Sequence, residues 1–82
     1  MDKAKIGKKI KTIFKENNFR FKDNEFLKTN VFKNENVDSF QLMSIISDIE
    51  KKFKFKISDK FLQELNKKNT QKVIDLIYKK IK

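Results

Sequence analysis

The 82-residue chain has no cysteine, no histidine and no proline, and only one glycine, Gly7. Without cysteine it has no disulfide, no thiolate nucleophile and no cysteine-based zinc site, which is compatible with a reducing compartment. Without histidine it also lacks the commonest general base and the commonest transition-metal ligand. No apolar run approaches the roughly 20 residues needed to span a bilayer. The opening MDKAKIGKKIKTIF is charged and has no uninterrupted apolar stretch, so it does not read as a secretory signal. These absences point to a small cytoplasmic domain, 1–82, with a modest core and few places to put chemistry.

What the chain has in excess is positive charge. Its formal net charge is +10, which raises the reading of a small basic helical domain for nucleic acid. Several features weigh against that reading. Arg20 is the one arginine among the basic residues, whereas phosphate and base recognition favour arginine. The lysines are scattered through every segment, as an overall compositional bias would leave them. Between Asn34 and Glu50 there is no Lys or Arg at all. Glu35, Asp38, Asp48 and Glu50 give that stretch −4, leaving +14 for the rest.

With no proline and one glycine, helix is the default expectation. Ile6, Ile10, Ile13 and Phe14 share one helical stripe, with Asp2 as N-cap and Asn17-Asn18 as a left-handed stop. Gly7 interrupts that stripe with no evident reason. Residues 19–37 show no sustained period, yet Phe19, Phe21, Phe26, Leu27, Val31 and Phe32 are too apolar for a free linker. We read a long connection pinned to the core, with a short helical turn near Asn24–Lys28.

The strongest helix runs from Ser39 to Phe53, where Leu42, Ile45, Ile46, Ile49 and Phe53 recur at three- and four-residue steps. Asp38 or Ser39 caps it. Ser58-Asp59 opens a short third helix carrying Phe61, Leu62 and Leu65. Asn69-Thr70 opens the last, with a stripe of Val73, Ile74, Ile77, Tyr78 and Ile81; Lys79, Lys80 and Lys82 complement its C-terminal dipole. The expected fold is therefore all-α: three longer helices, one short third helix and a long first loop.

The most informative triplet is Asp38-Ser39-Phe40. It sets a hydroxyl at a helix N-terminus, where orphan N–H groups and the macrodipole favour an attached anion. The reading as an ordinary N-cap competes with it. On the triplet alone both readings stand, and the surrounding residues extend it into a longer pattern. Val31-Phe32 stands upstream at the spacing of the hydrophobic pair in an L-F-x-x-G-x-x-D-S-F pattern. Asp48-Ile49-Glu50-Lys51-Lys52-Phe53 follows an x-x-E-x-x-F turn. Phe55-Lys56-Ile57-Ser58-Asp59 follows F-x-I-P-D with Ser58 for Pro, and Leu65, Asn69-Thr70 and Val73 follow the entry to a last helix.

In these features the chain resembles the acyl and peptidyl carrier proteins, closely over residues 31–77 and by segment order throughout. The resemblance implies a four-helix bundle of acyl-carrier type. It implies that Ser39 receives 4′-phosphopantetheine through a phosphodiester, added by a phosphopantetheinyl transferase, with Asp38 supporting that reaction or capping the helix. The arm's thiol would then carry acyl or aminoacyl thioesters between loading and transferring enzymes, so the chain itself would be no enzyme. A chain without cysteine does need an imported thiol for thioesters.

Two departures stand out. Glu35, flanked by Asn34 and Asn36, takes the place of the family's glycine before the Asp-Ser pair. Fatty-acid carriers usually display acidic residues along the second helix, whereas the outward positions here read Gln41, Ser44, Asp48, Lys51 and Lys52. A dedicated carrier fits that pattern better than a housekeeping one. Phe40, Gln41, Met43, Ser44 and Asp48 are the candidate docking residues. Phe40 and Met43 fit an exposed rim and a core position equally well. Lys51, Lys52, Lys54 and Lys56 read either as a basic docking strip or as a solvated face. A carrier-like domain that is never modified and only docks a partner is the remaining alternative.

Overall fold

Among the described residues, each of the four α-helices begins behind a short polar side chain whose oxygen accepts a first-turn backbone N–H. The computed structural model describes residues 1–33 and 37–81. Helix α1 spans Lys3–Glu16, α2 Ser39–Phe53, α3 Asp59–Leu65 and α4 Thr70–Ile81. Their caps are Asp2, which accepts from Lys5 N at 2.8 Å, and Asp38, from Gln41 N at 2.7 Å. Ser58 accepts from Phe61 N at 3.1 Å and Asn69 from Lys72 N at 3.0 Å. The helices are 14, 15, 7 and 12 residues long, and the described residues contain no strand.

The buried faces follow the expected stripes. Ile6, Ile10, Ile13 and Phe14 of α1 meet Ile45, Ile46, Ile49 and Phe53 of α2 and Val73, Ile74 and Ile77 of α4 in one core. Helix α1 packs against both α2 and α4. Each fully buried Ile or Phe contributes about 1.5–3 kcal/mol over an exposed one, so the small bundle rests mainly on these positions. Leu42, Tyr78 and Ile81 lie at its edge, half-buried. Gly7 sits on α1 where an added Cβ would meet Ile74 Cδ1 at 3.5 Å, an ordinary contact.

The connection between α1 and α2 is more structured than its sequence indicates. A 3₁₀-helix covers Asp23–Lys28, the one turn expected, and a second, unexpected one covers Val31–Lys33. Short 3₁₀ pieces repeat every three residues and end before a period becomes readable. Phe26, Val31 and Phe32 are buried. Leu27 instead points outward, against the expectation that it would help pin the loop.

Phe14 meets Phe19 and Phe26 edge-on at centroid distances of 5.3 and 5.8 Å, and Phe21 lies 5.0 Å from Phe26. Aromatic pairs in such geometries gain beyond simple area burial. Thr70 then fastens the loop to α4: its backbone N and its Oγ1 both donate to Thr29 O at 2.8 Å. That pair of hydrogen bonds explains why a threonine is buried at this helix start.

Candidate functional site

Asp38 settles how α2 begins. Its backbone is extended (φ −80°, ψ 169°), its carboxylate takes the Gln41 N–H, and its carbonyl accepts from Leu42 N at 3.0 Å. Asp38 therefore does the capping, and Ser39 becomes the first helical residue with no capping duty. Ser39 is exposed and its hydroxyl has no partner among the described residues. Beyond it Phe40 is 87% exposed and Met43 63%, which decides between rim and core: both are rim. Asn34-Glu35-Asn36, where the family's glycine would stand, lies outside the described residues, as does Lys82.

An open cleft of about 560 Å³ lies between the end of α1 and the start of α2, lined by Glu16, Asn17, Asn18, Asp38, Phe40, Gln41 and Ser44. Its floor is held by Asn17. The Asn17 amide nitrogen donates to Ile13 O at 2.8 Å and to Asp48 Oδ2 at 2.9 Å. Gln41 Nε2 donates to Asn17 O at 2.7 Å. Asn18 follows in the left-handed region, φ 62°, a conformation asparagine tolerates. It turns the chain so that Phe19 N donates to Phe14 O at 2.9 Å.

This changes the part played by two of the expected docking residues. Gln41 and Asp48 are half-buried and tie α2 to the end of α1. Ser44 is half-buried at the cleft edge, and Phe40 and Met43 stand clear. The seven-residue spacing of Gln41 and Asp48 does place them on one flank of α2. What the sequence could not show is that Asn17 faces that flank. A third polar tie was also missed: Glu50 Oε2 accepts from Ile57 N at 2.7 Å, holding the α2–α3 connection. Lys54, in the left-handed region at φ 58°, ends α2 just before it.

The start of α2 fits a phosphodiester on Ser39. The hydroxyl is accessible, the neighbouring carboxylate is engaged as a cap, and the adjoining first-turn amides lie at the positive end of a 15-residue helix. Among the described residues no group of three or more Asp or Glu is placed to hold a metal ion. No helix among them is long and apolar enough to cross a membrane. Comparison with family models, curated proteins and solved structures gave no match to this chain.

Proposed function

We propose that this chain is an acyl or aminoacyl carrier protein whose Ser39 bears 4′-phosphopantetheine. The observation that carries the reading is the division of labour at the head of α2. Asp38 caps the helix, so Ser39 is left exposed on the first turn with a hydroxyl that has no structural task among the described residues. An ordinary serine N-cap would have its oxygen bonded to the N2 or N3 amide; here that amide is taken by Asp38. The helix order and lengths, with a long first connection and a short third helix, support an acyl-carrier-type bundle.

The bound arm supplies the thiol on which a thioester is carried. The chain's own residues do the rest. Ser39 Oγ provides the oxygen of the phosphodiester, the α2 dipole favours its charge, and the Asp38 cap and Asn17 clamp hold the attachment point rigid. Tethering raises the effective concentration of the cargo at each partner, and docking of the carrier orients it. The carrier thus presents an intermediate and leaves its conversion to other enzymes.

Intact-mass measurement tests this. After incubation with coenzyme A and a broad-specificity phosphopantetheinyl transferase, the chain should gain one phosphopantetheine group, and Ser39→Ala should gain none. No gain with several such transferases overturns the reading. In that event, salt-dependent binding of oligonucleotides would favour the nucleic-acid reading, and its absence an unmodified docking domain.

A further inference from the structure

Laying α2 out at 3.6 residues per turn places Phe40, Met43, Ser44, Ser47 and Lys51 within about 60° of one line, opposite the Ile45–Ile49–Phe53 face that enters the core. Burial agrees with this geometry. Phe40, Met43, Lys51 and Lys54 are exposed, while Ser44 and Ser47 are half-buried. From Phe40 to Lys51 the strip is about 17 Å long, from 11 steps of about 1.5 Å, and its chemistry changes along it. It starts with two exposed apolar side chains next to Ser39, continues with two hydroxyls, and ends in lysines. At the basic end, Ser47, Glu50, Lys51, Lys54, Phe55 and Lys56 line an open depression of about 360 Å³.

Positive charge predominates at the end of this strip, where Lys51, Lys54 and Lys56 stand against Glu50. The two carboxylates bordering it are engaged inside the protein, Asp48 by the Asn17 amide and Glu50 by the Ile57 N–H. The ion pairs formed among the described residues, Lys3–Asp75 and Lys11–Asp23, lie elsewhere. Lys51, Lys54 and Lys56 therefore present their charge outward with no carboxylate of this chain paired to them among the described residues. Phe40 and Met43 are two of the four large apolar side chains left exposed among the described residues, and they stand one turn apart. A mixed strip of this kind matches the centre and rim of a transient interface, an apolar anchor beside polar groups.

From this strip we propose that α2 docks folded protein partners that offer an apolar pocket for Phe40 and Met43 and, about 12–17 Å further along, a cluster of carboxylates for Lys51 and the adjoining Lys54 and Lys56. This deepens the carrier reading and rests on it for the claim that those partners are the enzymes acting on the cargo. The acidic cluster sets approach and register, and the apolar contact brings the Ser39 end to the partner's site. A bare polyanion such as polyphosphate would use the lysines and ignore Phe40, whereas single-stranded nucleic acid could stack a base on it.

The test is an amide-resolved NMR titration of the full chain with two synthetic helical peptides. Both carry the same apolar anchor at one end, followed at about 15 Å by four Glu in one peptide and four Lys in the other. The Glu peptide should shift amides at Phe40, Met43, Ser47, Lys51, Lys54 and Lys56, and its affinity should fall with added salt. Phe40→Ser should weaken it several-fold. Lys51→Glu, Lys54→Glu and Lys56→Glu together should weaken it at least about tenfold and create affinity for the Lys peptide, with the helical circular dichroism unchanged.

Shifts spread equally over the lysines of α1 and α4 overturn the proposal, as does an affinity that the triple reversal leaves intact. An oligonucleotide that shifts the same strip with higher affinity than the Glu peptide overturns it in favour of nucleic-acid binding, whether or not Phe40→Ser weakens that complex. Ser39→Ala should leave peptide binding unchanged. The docking surface and the carrier reading therefore fail independently, the first in the titration and the second in the mass measurement.

Discussion

Asp38 and Ser39 are adjacent and both polar, yet they make opposite demands on stability. Asp38 holds the Gln41 N–H at 2.7 Å, so Asp38→Ala should lose about 1 kcal/mol, and Asp38→Asn, an equally good cap, should lose almost nothing. Ser39→Ala should stay within about 0.5 kcal/mol of the parent, because an exposed first-turn hydroxyl without a partner among the described residues stabilises nothing. Urea denaturation midpoints measure all three. A large loss for Ser39→Ala would mean that the hydroxyl is structural after all. Gly7 carries a prediction of the other sign. It lies inside α1 with a negative φ, and an added Cβ would reach Ile74 Cδ1 at only 3.5 Å, which needs no adjustment. Gly7→Ala should therefore stabilise the chain by about 0.5–1 kcal/mol through helix propensity. An unchanged or lower midpoint would show that α1 and α4 need the glycine.

Between helices, the clamp at Asn17 joins what periodicity cannot. Its side-chain amide bridges Ile13 O and Asp48 Oδ2, and its carbonyl receives Gln41 Nε2. Asn17→Ala should cost about 1–2 kcal/mol, since it leaves the half-buried Asp48 carboxylate without that donor. It should also broaden the NMR signals at the head of α2, which the clamp ties to the end of α1. A mutant that loses stability while α2 stays sharp would separate the clamp from the site. The same distinction explains what the sequence made legible. Stripes such as Ile6–Ile10–Ile13–Phe14 and Val73–Ile74–Ile77 report their own burial through spacing alone, and Asp2, Ser58 and Asn69 report helix starts through local hydrogen bonding. Asn17 with Asp48, Glu50 with Ile57 and Thr70 with Thr29 were not legible as pairs. Each is a contact between segments whose relative placement is set only by packing. The second 3₁₀ turn at Val31–Lys33 is three residues long, too short to show a period. Phe40 and Met43 were ambiguous because α2 has more apolar residues than its buried face holds.

Taken together, the charges leave the native state working against itself. A net charge of +10 on 82 residues is confined on folding to a body with principal extents of 31 × 27 × 21 Å. The Debye length is about 30 Å at 0.01 M salt and about 8 Å at 0.15 M, so at low salt every lysine feels most of the others. The two ion pairs among the described residues are solvent-exposed and offset little of this. Thermal stability should therefore rise with sodium chloride across that range, followed by circular dichroism. Replacing Lys51, Lys54 and Lys56 together by Glu removes two charge units at each position, taking the formal charge from +10 to +4. Relief of repulsion on the order of 1 kcal/mol would raise Tm by roughly 4–8 °C at low salt in a domain of this size, and the salt dependence should flatten. The same variant is expected to lose the acidic peptide. Greater stability with weaker docking would show that these lysines stand where a partner needs them and the fold does not, whereas a less stable variant would place them in the service of the fold.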